Sequence, residues 1–106
     1  MATTRGKLQF QGLFNEVLTS LVTYNPGSLL DAAGETSAAF SVPGAALGDF
    51  VMCAAPYDLQ GITVTAYVSA ADSVRVRVQN ESAATVDLAS GSWKLIVLKP
   101  NTAFFT

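Results

Sequence analysis

Residues 62–79 read ITVTAYVSAADSVRVRVQ, two alternating runs joined by a stretch of small residues. In the first run Ile62, Val64, Ala66 and Val68 share one face, and Thr63, Thr65, Tyr67 and Ser69 share the other. In the second, Val74, Val76 and Val78 alternate with Arg75, Arg77 and Gln79. Period-two alternation of β-branched residues marks strands with one buried and one wetted face. The two runs therefore predict an antiparallel hairpin. The same alternation sets its register, because opposed residues lie on one face and the valines have to meet. A two-residue loop at Ala71-Asp72 would set Val68 against Arg75. A three-residue loop, Ala70-Ala71-Asp72, pairs Val68 with Val74, Ala66 with Val76 and Val64 with Val78. It also opposes Tyr67 to Arg75 and Thr65 to Arg77. That loop, or its neighbour at residues 71–73, is expected, with Asp tolerating the left-handed conformation such a turn needs.

Outward from the hairpin, turn signals recur every 8–12 residues. Upstream, residues 18–24 read as a strand, although Val17, Leu18, Leu21 and Val22 also fit a short amphipathic helix. Asn25-Pro26-Gly27-Ser28 is a turn, because Pro presets φ and Gly supplies φ > 0. Residues 29–35 read as a connection. Residues 36–42 alternate again, with Ala38, Phe40 and Val42 on one side, and end at Pro43-Gly44. Residues 50–55 (FVMCAA) form a continuous apolar run, as in a fully buried strand. Downstream, residues 80–84 are a loop, residues 85–88 a short extended piece, and residues 92–98 (SWKLIVL) a last strand before Pro100. Trp93 is placed on the inner sheet face. The expected fold is all-β, an antiparallel sandwich of jelly-roll-like character. Residues 16–100 make the sandwich, preceded by residues 1–15 as an N-terminal arm or an edge strand and followed by a tail at residues 101–106.

The composition narrows the function classes. The chain has 106 residues, of which 50% are hydrophobic and 13% charged, about half the charge of an ordinary soluble domain, in which roughly a quarter of residues are charged. No run reaches the ~18 apolar residues of a membrane span. The first residues, MATTRGKLQFQG, lack the apolar core of a signal peptide. Burial between subunits is the remaining outlet for the apolar excess, and a homo-oligomer is expected. A net charge of −2 and six scattered cations leave no basic footprint for nucleic acid.

Catalysis and metal binding have few residues to use. The chain has no histidine and one cysteine, Cys53, which sits in the apolar run and reads as a buried, unreactive thiol. Asp49, Asp58, Asp72, Glu81 and Asp87 fall in or near expected loops, where carboxylates serve turns. Asn80-Glu81-Ser82 matches the glycosylation sequon but reads as a loop. No catalytic residue, metal site or cofactor is expected. The candidate contact residues are Tyr67, Arg75 and Arg77 on the wet hairpin face, and Phe104-Phe105 at the C-terminal end. Leu8, Phe10, Leu13 and Phe14 complete the set, in a segment suited to strand addition on a neighbour.

Residues 42–49 (VPGAALGD), 68–78 (VSAADSVRVRV), 80–82 (NES) and 87–91 (DLASG) together resemble a pattern found in small structural proteins of tailed bacteriophages. The resemblance spans residues 35–98 and leaves residues 1–34 outside it. It implies a small β-sandwich that serves as a head decoration, or cement, protein on the virion surface. Such proteins commonly stand as trimers at threefold positions of the capsid lattice. The partners it implies are further copies of the chain and the phage major capsid protein, with no membrane and no nucleic acid involved. The rival reading is a receptor- or glycan-binding module of a tail fibre.

Overall fold

The computed structural model describes residues 13–102, and their architecture is all-β with every strand pair antiparallel. Nine strands follow in order: β1 (Phe14–Tyr24), β2 (Gly27–Leu29), β3 (Gly34–Thr36), β4 (Phe40–Ser41), β5 (Phe50–Ala54), β6 (Ile62–Ala70), β7 (Ser73–Asn80), β8 (Val86–Leu88) and β9 (Gly91–Pro100). One sheet has the order β1-β9-β5. In the second, β7 is flanked by β6 on one side and by β3 and β4 in succession on the other. A short β2-β8 pair forms a third. The core between them draws Trp93, Leu95 and Val97 from β9 and Val74, Val76 and Val78 from β7, all at most 1% exposed. Leu29, Val86 and Leu88 join it from the short pair.

The central hairpin has the pairing its alternation requires. Val68 opposes Val74, Ala66 opposes Val76, Val64 opposes Val78, and Tyr67 opposes Arg75. The tip is tighter than a plain three-residue loop. Ala70 pairs with Ser73, the register slips between Val68 and Ala70, and Asp72 takes φ +62°. A bulge at Ser69 thus absorbs the extra residue and keeps the valines in line.

Four expectations need correction. First, the sandwich starts before residue 16: β1 begins at Phe14, so residues 14 and 15 take the edge-strand alternative and not the arm. Phe14 opposes Pro100, with a register slip before Glu16. Second, the alternation at residues 36–42 is not one strand. The chain breaks at buried Ser37, whose N–H donates to the Val76 carbonyl while its Oγ accepts from the Val76 N–H. A side chain thus replaces one backbone rung, which is why the alternating pattern hid the break. Third, the expected connection at residues 29–35 contains the end of β2 and the start of β3. Fourth, β5 is not buried on both faces. It is the edge of its sheet, with Phe50 and Met52 47% and 58% exposed, and Cys53 half-buried.

Candidate docking surface

Two surfaces stand out once the strands are in place: one end of the sandwich and the outer face of the β1-β9-β5 sheet. The end is built by a loop at residues 42–49 that the fold holds from three directions. Turns close from Ala45 N–H to the Val42 carbonyl and from Asp49 N–H to the Ala46 carbonyl, at 3.1 Å each. The hairpin tip then grips the loop, with Asp72 Oδ1 accepting from Gly44 N–H at 2.8 Å. The Asp72 N–H donates to the Ala45 carbonyl and the Val42 N–H to the Asp72 carbonyl. From β9, Lys99 Nζ reaches both the Gly44 carbonyl at 2.9 Å and Asp49 Oδ2 at 2.7 Å. Gly44 sits at φ +96°, a conformation that L side chains rarely adopt. The loop is thereby fixed, and at its crest Leu47 is 72% exposed.

The first and last described residues meet at this end. The Asn101 N–H donates to the Leu13 carbonyl at 2.7 Å, and the Phe14 ring stands edge-on to Phe50 with centroids 6.2 Å apart. Of the expected contact residues, Leu13 and Phe14 are thus half-buried at this end. Leu8, Phe10, Phe104 and Phe105 lie outside the described residues. Tyr67, 43% exposed, borders a groove with Phe14, Phe50, Met52 and Leu98. The arginines are engaged within the chain. Arg75 donates to the Ser37 carbonyl at 2.8 Å, and Arg77 donates to Thr36 Oγ1 and Gln79 Oε1. They tie β7 across to the Thr36-Ser37 break, and the structure gathers only Tyr67 of that trio with the phenylalanines.

The outer sheet face follows from the register. Opposed residues share a face, so Val17, Leu98 and Phe50 form one row, Thr19, Ile96 and Met52 the next, and Leu21, Lys94 and Ala54 a third. Eight of these nine positions are uncharged. Sequence reasoning missed Leu47, Val17, Leu21, Phe50 and Met52 as surface residues. A signal was present for all but Leu47: β1, β5 and β9 each carry apolar residues at consecutive positions, hence on both faces. That is the pattern of a sheet covered on both sides.

Most of the carboxylates hold turns and loops. Asp31 accepts from Ala83 N–H, Asp58 from Gln60 N–H and Glu81 from Gln79 Nε2. Among the described residues no three His, Cys, Asp or Glu side chains gather as a metal-binding group. Burial pushes the Cys53 thiol up from its ordinary range, which disfavours the thiolate. Asn80 of the sequon is fully buried. Its Nδ2 donates to the Leu29 and Ala84 carbonyls, and its Oδ1 accepts from the Ser82 N–H and Oγ. In the folded chain that amide is out of reach of a modifying enzyme. No family model, curated protein or solved structure matches this chain, so the phage expectation rests on its motifs alone.

Proposed function

We propose that this chain is a capsid decoration protein of a tailed bacteriophage, working as a homotrimer that docks on the outside of the head and ties neighbouring major capsid subunits together. The observation that carries the docking half of the reading is the end of the sandwich. A rigid loop presents Leu47, 72% exposed, and leads directly into β5, whose first residue Phe50 packs edge-on against Phe14. A side chain held out on a fixed loop loses little entropy on contact, which is how a small anchor becomes effective. The phage assignment itself rests on the motif resemblance. Three copies of one modest contact on a threefold site raise occupancy well beyond that of one contact alone.

The test is co-sedimentation with expanded empty heads of the phage that encodes the chain. Wild-type protein is expected to pellet with the heads saturably. Leu47→Asp is expected to lower the affinity at least tenfold, with its circular dichroism and unfolding midpoint unchanged, because Leu47 makes little use of the core. Equal binding by the variant would remove this end as the docking site. No binding by the wild type would remove the reading.

A further inference from the structure

We infer that the outer face of the β1-β9-β5 sheet is covered by another copy of this chain. The inference deepens the trimer proposed above and takes only the copy number from it. Three adjacent strands of one sheet carry apolar side chains on both faces, and the core accounts for one face only. On the other, Val17, Leu21, Phe50 and Met52 are 50%, 66%, 47% and 58% exposed. With Ile96, Leu98 and their small neighbours, this leaves about 500 Å² of apolar surface on one continuous face, at the upper end of what a free monomer shows.

Charge selects the occupant. The three rows contain one charge, Lys94, in the row furthest from Phe14, and no carboxylate. A partner that covered them with charged side chains would bury those charges without counterparts, at a cost of several kcal/mol each. The face itself is the surface known to meet the requirement: flat, nearly uncharged and rich in aliphatic side chains. Three copies that turn this face towards a common threefold axis enclose a shared apolar interior, with the Thr19-Ile96-Met52 row at its centre and Lys94 towards one end. The trimer then removes about 1,500 Å² from water in all, about 500 Å² for each pair of copies, so the closed ring and not any single contact holds it together. The edges fit as well. Among the described residues β1 is an 11-residue edge strand with neither Pro nor Lys, and its one charge, Glu16, and its bulge both lie at its start, leaving residues 17–24 unprotected.

The experiment is light scattering on the purified full chain at micromolar concentration, with Leu21→Lys and Met52→Lys as separate variants. Both positions are more than half exposed, so neither substitution should unfold the monomer. The wild type is expected at a multiple of 11.1 kDa, about threefold, and each variant is expected to shift to the monomer mass with its circular dichroism retained. A wild type at 11.1 kDa overturns the inference, whether the face is then covered by the chain's own terminal segments or by a shell protein. So does an oligomer that both variants leave intact. Should one variant lose its fold, the other decides. The two proposals fail separately. A trimer that does not bind heads leaves this interface standing, and a monomer that binds heads leaves only the docking function.

Discussion

Replacing Asn80 by Ala tests how the far end of the sandwich is held together. Asn80 closes β7, is fully buried, and spans three segments with four side-chain hydrogen bonds. Its backbone adds two more, to Ala32 and Ala33, and these survive the substitution. Ala84 is exposed and Ser82 half-exposed, so water replaces most of what those two groups lose. The Leu29 carbonyl belongs to a residue 5% exposed and is left without its donor. A net hydrogen bond is worth about 1 kcal/mol, and a buried group left unpaired costs about 1–3. The expected loss is therefore about 2–4 kcal/mol, a large share of a marginal domain's stability. With the usual urea dependence, the unfolding midpoint falls by about 2 M. Asn80→Asp, which cannot donate at neutral pH, is expected to cost at least as much. A loss under about 1 kcal/mol in urea titrations would mean that the three segments are held by their strands alone.

Other perturbations probe the remaining parts. Trp93 is fully buried between the edge-on rings of Tyr24 and Tyr57, so Trp93→Ala should cost about 3–5 kcal/mol. Its indole N–H has no hydrogen-bond partner among the described residues, so Trp93→Phe forfeits no bond and should cost clearly less than Trp93→Ala. Equal losses in thermal melts would contradict this. Burial, reinforced by the Glu35 carboxylate that accepts its hydroxyl, pushes the Tyr24 phenol well above its ordinary value of 10. The unfolded chain therefore releases that proton first, and stability should fall as pH rises above 10. Tyr24→Phe should flatten that alkaline decline, and an unchanged slope would count against the assignment. Asp72→Ala removes both the acceptor for Gly44 and a residue tolerant of φ +62°. About 1–2 kcal/mol should be lost, and Asp72→Gly should lose less, as read from unfolding midpoints.

The hairpin of β6 and β7 was legible because alternation of valine with polar residues admits one register that keeps arginine out of the core. Trp93 could be placed on the inner face for the same reason, from its position in the closing strand. Where the rule fails, the cause is local. At Ser37 a hydroxyl takes the place of a backbone acceptor, and the composition of an alternating run does not show that substitution. At Phe50 and Met52, continuous apolarity suggested a strand buried on both faces, but within the chain the core covers only the face of Val51 and Cys53. The β2-β8 pair joins residues nearly sixty positions apart through three-residue strands, too short for periodicity to register. Leu47 lies inside the second turn of its loop, and the loop's placement follows from the grip of Asp72 and Lys99, contacts distant in sequence.

Cryo-electron microscopy of the intact virion tests the central claim most directly. The account predicts density for this sandwich on the outer surface of the head, three copies around each occupied threefold position. The Leu47 end should face the shell, and the β1-β9-β5 sheets should turn towards one another. Density confined to the tail tip, with bare head threefolds, would contradict it and favour the tail-fibre reading.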